Sequence, residues 1–134
     1  MEALVRRVYG ALAAGDAETL AEALDPQFDG HFADGLPLGI GGIRRGAASA
    51  VRDGWWAIGR AFDLRAEADE WIPTADGRLL VLGVYRGSAR STGRPVEAGF
   101  AHLWTAREGR LVALRQYTDT ARWVAALEPE VSIR

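Results

Sequence analysis

AGFAHLWTAREGRLVALRQYTDT, residues 98–120, is the stretch that decides the fold. Phe100, His102 and Trp104 fall on alternate positions, the period-two signal of a strand with one covered face. Glu108-Gly109-Arg110 supplies a tight turn, where glycine is free to take positive φ. From Leu111 to Thr118 the alternation resumes and puts Val112, Leu114, Gln116 and Thr118 on one side. A histidine and a glutamine set among aromatic and aliphatic side chains predict a pocket in the sheet, because buried polar groups need partners.

Outward from this hairpin the same period persists. Leu64 to Ile72, Leu79 to Arg90, Val96 to Arg107 and Leu111 to Thr118 read as four strands. They are separated by turn signals at Thr74-Ala75-Asp76-Gly77, Ser91-Thr92-Gly93 and Glu108-Gly109. Upstream the period lengthens. Leu4, Val5, Val8, Tyr9 and Leu12 lie at helical spacing, with Gly15 as C-cap. Asp16 is placed to cap a second helix whose apolar face is Leu20, Ala23 and Leu24, and Pro26 follows its end. Gln27 to Phe32 reads as a short strand, followed by the glycine-dense loop ADGLPLGIGGIRRG, in which Arg44-Arg45 reads as a solvated pair. Gly46 opens a third helix with the stripe Val51, Trp55, Ile58 and Phe62. Ala121 to Leu127 forms a closing helix, and the tail after Pro129 reads as loose.

Helices first and a long meander after them indicate an α+β domain occupying residues 1–134 as one unit. Long, twisted antiparallel strands curl around the N-terminal helices rather than lie flat. A sheet curled in this way encloses a cone-shaped cavity with an open mouth, a natural small-molecule site.

Composition narrows the chemistry. A chain that is 49% hydrophobic and 25% charged is globular. Its formal net charge of −2 gives no reason to expect nucleic acid. No apolar run reaches membrane-spanning length, and the first residues read as a charged amphipathic helix rather than a signal peptide, so the expectation is a cytoplasmic protein. Without cysteine there is no thiol catalysis and no thiolate metal site. Every basic side chain is arginine, which excludes Schiff-base lysine chemistry. Lysine and asparagine, both absent, have AT-rich codons, so the coding sequence reads as that of a high-GC bacterium. No HxH or HExxH spacing occurs, and Leu38-Gly39-Ile40-Gly41-Gly42 lacks the lysine of a phosphate loop. No metal and no cofactor are expected.

The chain resembles the SnoaL-like polyketide cyclases, within the superfamily of nuclear transport factor 2 and ketosteroid isomerase. The order of elements agrees over residues 2–127, and VRRVYGALAAGD looks like that superfamily's first helix. The most specific match is His102-Leu103, then Gly109-Arg110-Leu111, then Arg115 and Asp119, at the spacings of the aldol-condensing cyclases. In those enzymes the acid/base aspartate stands at the position held here by Gln116. An amide exchanges no proton at a useful pKa, although it donates and accepts hydrogen bonds. Comparison with ketosteroid isomerase places Tyr9 one residue beyond that family's first-helix oxyanion donor, at whose position this chain has Val8. Counting from Asp25, His31 falls at that family's general base.

The residues' own placement, together with the resemblance, gives a set of candidate site residues. His102 is either a general acid or base in an aromatic cavity or a core histidine satisfied by a carbonyl. His31, with Asp34 to orient it, is either a base at the cavity mouth or part of a surface strand end. Gln116 either binds a substrate carbonyl or enolate oxygen or bonds His102. Tyr9, Trp56, Phe100, Trp104, Leu114 and Thr118 are the expected substrate-binding residues, whereas Trp55 reads as core. Asp119 immediately precedes the last helix, where aspartate is a preferred N-cap.

The function these expectations describe is a cofactor-independent cyclase or isomerase acting on a hydrophobic, polyketide-like intermediate in bacterial secondary metabolism. A non-catalytic ligand-binding or assembly domain is the alternative. Epoxide hydrolysis is a third option and needs Asp119 or Asp34 to pair with Arg115 inside the cavity. The apolar outer face formed by Ala101, Leu103, Ala113 and Tyr117 predicts a homodimer.

Overall fold

A computed structural model describes residues 1–129. The expected loose tail lies outside the described residues. Helix α1 spans Glu2–Ala14 and buries Val5, Val8 and Ala11. It ends as the sequence dictates, with Gly15 in the left-handed region at φ 68° and its amide returning to the last turn. Helix α2, Ala17–Ala23, is capped by Asp16, whose carboxylate accepts from the Thr19 amide at 3.1 Å.

Among the described residues six strands follow: β1 Leu24–Phe32, β2 Gly42–Arg45, β3 Phe62–Pro73, β4 Leu79–Ala89, β5 Pro95–Arg107 and β6 Arg110–Thr118. They form one curved, unclosed sheet in the order β2-β1-β6-β5-β4-β3. Two features differ from the expectation. The glycine-rich loop contains a strand, β2, which pairs antiparallel with β1. In addition, β1 runs parallel to β6, with Gly30 opposite Leu114, so the sheet is mixed rather than wholly antiparallel. Two short helices and a long connection precede the meander, and a crossover of that length permits parallel pairing.

Arg44 is therefore not a solvated loop residue. It lies in β2, is half-buried, and donates to the carbonyls of Gly39 and Ile40. Arg45 remains exposed and meets Asp29 at 3.6 Å.

The third helical region is not one regular helix. It comprises α3 (Ala47–Ser49), a π-helical segment (Ala50–Trp55) and α4 (Trp56–Ala61). The wider π turn breaks the 3.6-residue spacing of the expected stripe, and Phe62 leaves the helix to begin β3. Helix α5, Thr120–Leu127, places Trp123 edge-on to Phe62 and Tyr85 at 5.1 and 5.0 Å.

Strand alternation directs Phe28, Gly30 and Phe32 of β1 inward and turns Asp29 and His31 outward. On β5 it buries Val96, Ala98, Phe100, His102 and Trp104. Gly83 of β4 faces Phe100, and a methyl group there would stand 2.6 Å from its ring. That absent side chain is the space Phe100 occupies.

Candidate functional site

A cavity of about 760 Å³ opens between α1, α4 and the inner face of β3 and β4. Its apolar wall comes from Leu12, Trp55, Trp56, Ile58, Phe62 and Leu64. Polar side chains in the lining are Tyr9 of α1, Tyr85 of β4 and His102 of β5, together with the charged Arg60, Arg65 and Glu67. That volume falls within the range of sites for drug-sized ligands.

The three residues are joined. Nδ1 of His102 lies 2.7 Å from the Tyr9 hydroxyl, and Nε2 lies 2.7 Å from the Tyr85 hydroxyl. Phe100, two residues back on the same strand face, stacks on the imidazole at 4.1 Å and 20°. The Trp104 indole donates to the Tyr9 oxygen at 3.2 Å. Register sets Gln116 directly opposite His102. Its amide nevertheless bypasses the imidazole: Nε2 donates to the Tyr85 oxygen at 2.8 Å and Oε1 accepts from the Ala33 amide at 3.1 Å. Among the described residues His102 and Gln116 are the two buried polar ones, 3% and 2% exposed. Each of these side chains has at least one hydrogen-bond partner within the array.

Burial decides the charge state. Desolvation disfavours imidazolium and lowers the His102 pKa from 6.5 to about 3, so the ring is neutral at physiological pH. The same cause raises the phenols of Tyr9 and Tyr85 above the ordinary tyrosine value, and hydrogen bonds from Trp104 and Gln116 offset only part of it. The array is thus uncharged and works through oriented O–H and N–H dipoles.

The structure brings Tyr9, His102 and Gln116 together. Trp56 joins them at the cavity wall, where it also borders a second space of about 440 Å³ beside α2. The remaining expected ligand contacts stand behind that wall. Phe100, Trp104 and Leu114 are buried in the core, and Thr118 ties β6 to Gly99 at 2.7 Å and accepts from Trp123 at 3.1 Å.

His31 and Asp34 are placed elsewhere. They bond to each other at 3.0 Å on the outer side of β1, with the Asp34 side chain 82% exposed, because odd positions of that strand face away from the helices. Neither lines the cavity. Arg115 sits outward beside Tyr117 at 5.8 Å, and Asp119 pairs with Arg122 at 3.2 Å. The constellation needed for epoxide opening is therefore not assembled in the cavity. Asp119 does occupy the N-cap position of α5, but its side chain makes no capping hydrogen bond.

Among the lining residues that the sequence reading did not single out, Tyr85 and Trp55 are the two aromatic ones closest to the polar array. Tyr85 has the parity of Val81 and Gly83 in β4, so strict alternation would have turned it inward beside His102. Trp55, expected in the core, does both jobs: it stacks on Phe28 at 5.8 Å and on Trp104 at 6.3 Å while its other face borders the cavity. Nothing in the helical spacing foretells that, because the π turn rotates it.

The sequence matches the SnoaL-like domain model over residues 5–114, and the chain belongs to that family. Its fold is shared with an NTF2-like protein of unknown function from Burkholderia pseudomallei, with TM-score 0.83, 28% identity and coverage of 94% of this chain and 95% of that one. An NTF2-like protein of Burkholderia thailandensis aligns with TM-score 0.82 at 27% identity, covering 94% and 95% of the two chains. IdmH of Streptomyces antibioticus, a candidate polyketide cyclase, aligns with TM-score 0.78 at 25% identity over 94% of this chain and 96% of its own. Curated proteins give no match. Among the described residues no group of three or more His, Cys, Asp or Glu is placed to hold a metal ion, and no helix is long and apolar enough to cross a membrane.

Proposed function

We propose that this protein is a cofactor-independent cyclase or isomerase that folds a polyketide-like carbonyl compound inside its cavity, in bacterial secondary metabolism. One observation carries the reading: an aromatic cavity of about 760 Å³ whose inner wall offers two tyrosine hydroxyls bridged by a buried histidine. The wall holds a flexible substrate in one folded conformer, which removes much of the entropic barrier to ring closure. A hydroxyl aimed at a substrate carbonyl stabilises the negative charge that grows on its oxygen during enolisation or conjugate addition.

The neutral state of His102 shapes the mechanism. A ring held neutral down to about pH 3 does not act as a charged acid. Set between two phenols, it takes a proton at one nitrogen while releasing one at the other. Among the cavity-lining residues Glu67 is the one carboxylate, and Arg86 holds it at 3.1 Å. Ring closures that need orientation and carbonyl activation more than a strong base, such as conjugate addition or pericyclic closure, suit this wall best.

The test is incubation with linear and polycyclic polyketide-like enones, followed by chromatography with mass detection. Cyclisation or isomerisation yields products of unchanged mass and altered retention. Turnover falls in Tyr9→Phe and His102→Gln; undiminished turnover in both refutes the assignment of the chemistry to this array. A non-catalytic ligand-binding role is the second reading. It is favoured by the occupancy of both His102 nitrogens and by an amide where the aldol cyclases carry an acid. Tight binding with the ligand recovered unchanged decides for it. The apolar outer face around Leu103 and Tyr117 is proposed to contact a second copy, and Tyr117→Arg should lower the sedimenting mass.

A further inference from the structure

The hydrogen-bond chain behind the cavity has a direction, and it can be derived by counting donors. Its far end is fixed. The Ala33 backbone amide can only donate, so it must meet the Gln116 carbonyl oxygen, and the 3.1 Å contact is to Oε1. The other end of that amide group, Nε2, can also only donate, and it does so to Tyr85 at 2.8 Å. The Tyr85 oxygen therefore receives one proton from Gln116. Its own O–H has a single acceptor within reach, Nε2 of His102.

If Tyr85 donates to Nε2, that nitrogen carries no hydrogen. A neutral imidazole then bears its proton on Nδ1 and donates it to the Tyr9 oxygen. Tyr9 also receives the Trp104 N–H. Both of its lone pairs are occupied, and its O–H has no acceptor in the protein. The opposite tautomer would strand the O–H of Tyr85 instead. Tyr85 is only 8% exposed, whereas Tyr9 is half-buried on the cavity wall, and an unpaired donor costs less where a ligand or water can reach it.

We propose that Gln116, anchored by the Ala33 amide, is a positioning residue that locks His102 in the Nδ1–H tautomer and leaves the Tyr9 O–H as the one donor of this hydrogen-bond chain that is free to meet a ligand in the cavity. The ligand must then present an acceptor oxygen at that point, which selects a ketone or quinone carbonyl. The ligand half of this inference rests on the function proposed above; the direction of the chain does not.

The experiment is long-range proton–nitrogen NMR of protein labelled at the histidine rings, with His31→Gln used to assign the two residues. Wild type should show a protonated Nδ1 and an unprotonated Nε2 at His102. A protonated Nε2 overturns the proposal. Gln116→Glu supplies the reversal. Once its carboxylate ionises, followed by the carboxyl carbon shift, it accepts from both Ala33 and Tyr85, and the His102 proton should move to Nε2. Retention of Nδ1–H after ionisation removes Gln116 from the role. Should that variant fail to fold, the wild-type assignment alone still decides.

Titration with 1-tetralone and with tetralin isolates the carbonyl. The ketone should bind about tenfold more tightly, and Tyr9→Phe should erase the difference. An Nδ1–H tautomer without ketone preference upholds the direction and overturns the ligand class. Ketone preference without turnover of any enone counts against the enzyme reading and leaves this one standing.

Discussion

The Tyr9 hydroxyl and Nδ1 of His102 meet at 2.7 Å although 93 positions separate them in the chain. Through this contact the first helix is fixed to the fifth strand at a polar point.

Tyr9→Phe keeps the ring and deletes that tether. It strands the Trp104 N–H and one nitrogen of His102, and a buried polar group left unpaired costs about 1–3 kcal/mol. Urea denaturation should show a loss of that size. Full wild-type stability would mean that water replaces the hydroxyl without cost.

Acid should weaken the fold through His102. The unfolded ring titrates at 6.5 and the folded one at about 3, so the unfolded state binds the extra proton within that window. The stabilisation is present in full above pH 6.5 and declines by about 1.4 kcal/mol per pH unit as pH falls toward 3. Between pH 6.5 and 5, before most carboxylates titrate, His102→Gln should have a flatter stability profile than wild type. Parallel profiles would show that the ring is not held neutral.

Gly83→Ala tests the space claimed by Phe100. The new methyl would stand 2.2 Å from the Glu67 carbonyl oxygen and 2.6 Å from the Phe100 ring. Overpacking of this kind costs about 1–3 kcal/mol and should displace the ring stacked on His102. The thermal midpoint reports the first effect and the His102 ring resonances report the second. A neutral substitution would show that the strands part easily here.

Two aspartates in similar positions should respond differently. Asp16 accepts from the Thr19 amide, whereas Asp119 turns to Arg122 and caps nothing with its side chain. Asp16→Ala should therefore lower the unfolding midpoint more than Asp119→Ala. The reverse order would mean that the Asp119 carboxylate reaches the helix amides in solution.

The sequence made most of the fold legible. Caps and periodicity located α1, α2 and the four meander strands, since each is written in local pattern. The strand β2 was hidden because Gly42 and two arginines carry no period-two apolar signal, and its pairing with β1 is a tertiary matter. Within the site, the alternation through Phe100, His102 and Trp104 identified the inner face of β5. It did not separate residues that touch the cavity from those one layer behind, because His102 and Trp104 share the same alternation yet only His102 lines the cavity. His31 illustrates the limit of counting: a shift of one residue along β1 exchanges the inner face for the outer.

The parallel pairing of β1 with β6 also governs when this molecule can become itself. Leu24 waits for Leu111 and His31 for Arg115, so the first strand has no permanent neighbour on that side until the last has been made. During synthesis the early helices and the edge hairpin of β1 and β2 must persist without a finished core. Closure of such distant partners is slow compared with local pairing. Folding is thus an event of the completed chain, and a truncation that removes β6 should abolish the cavity and the whole sheet with it rather than trim one strand.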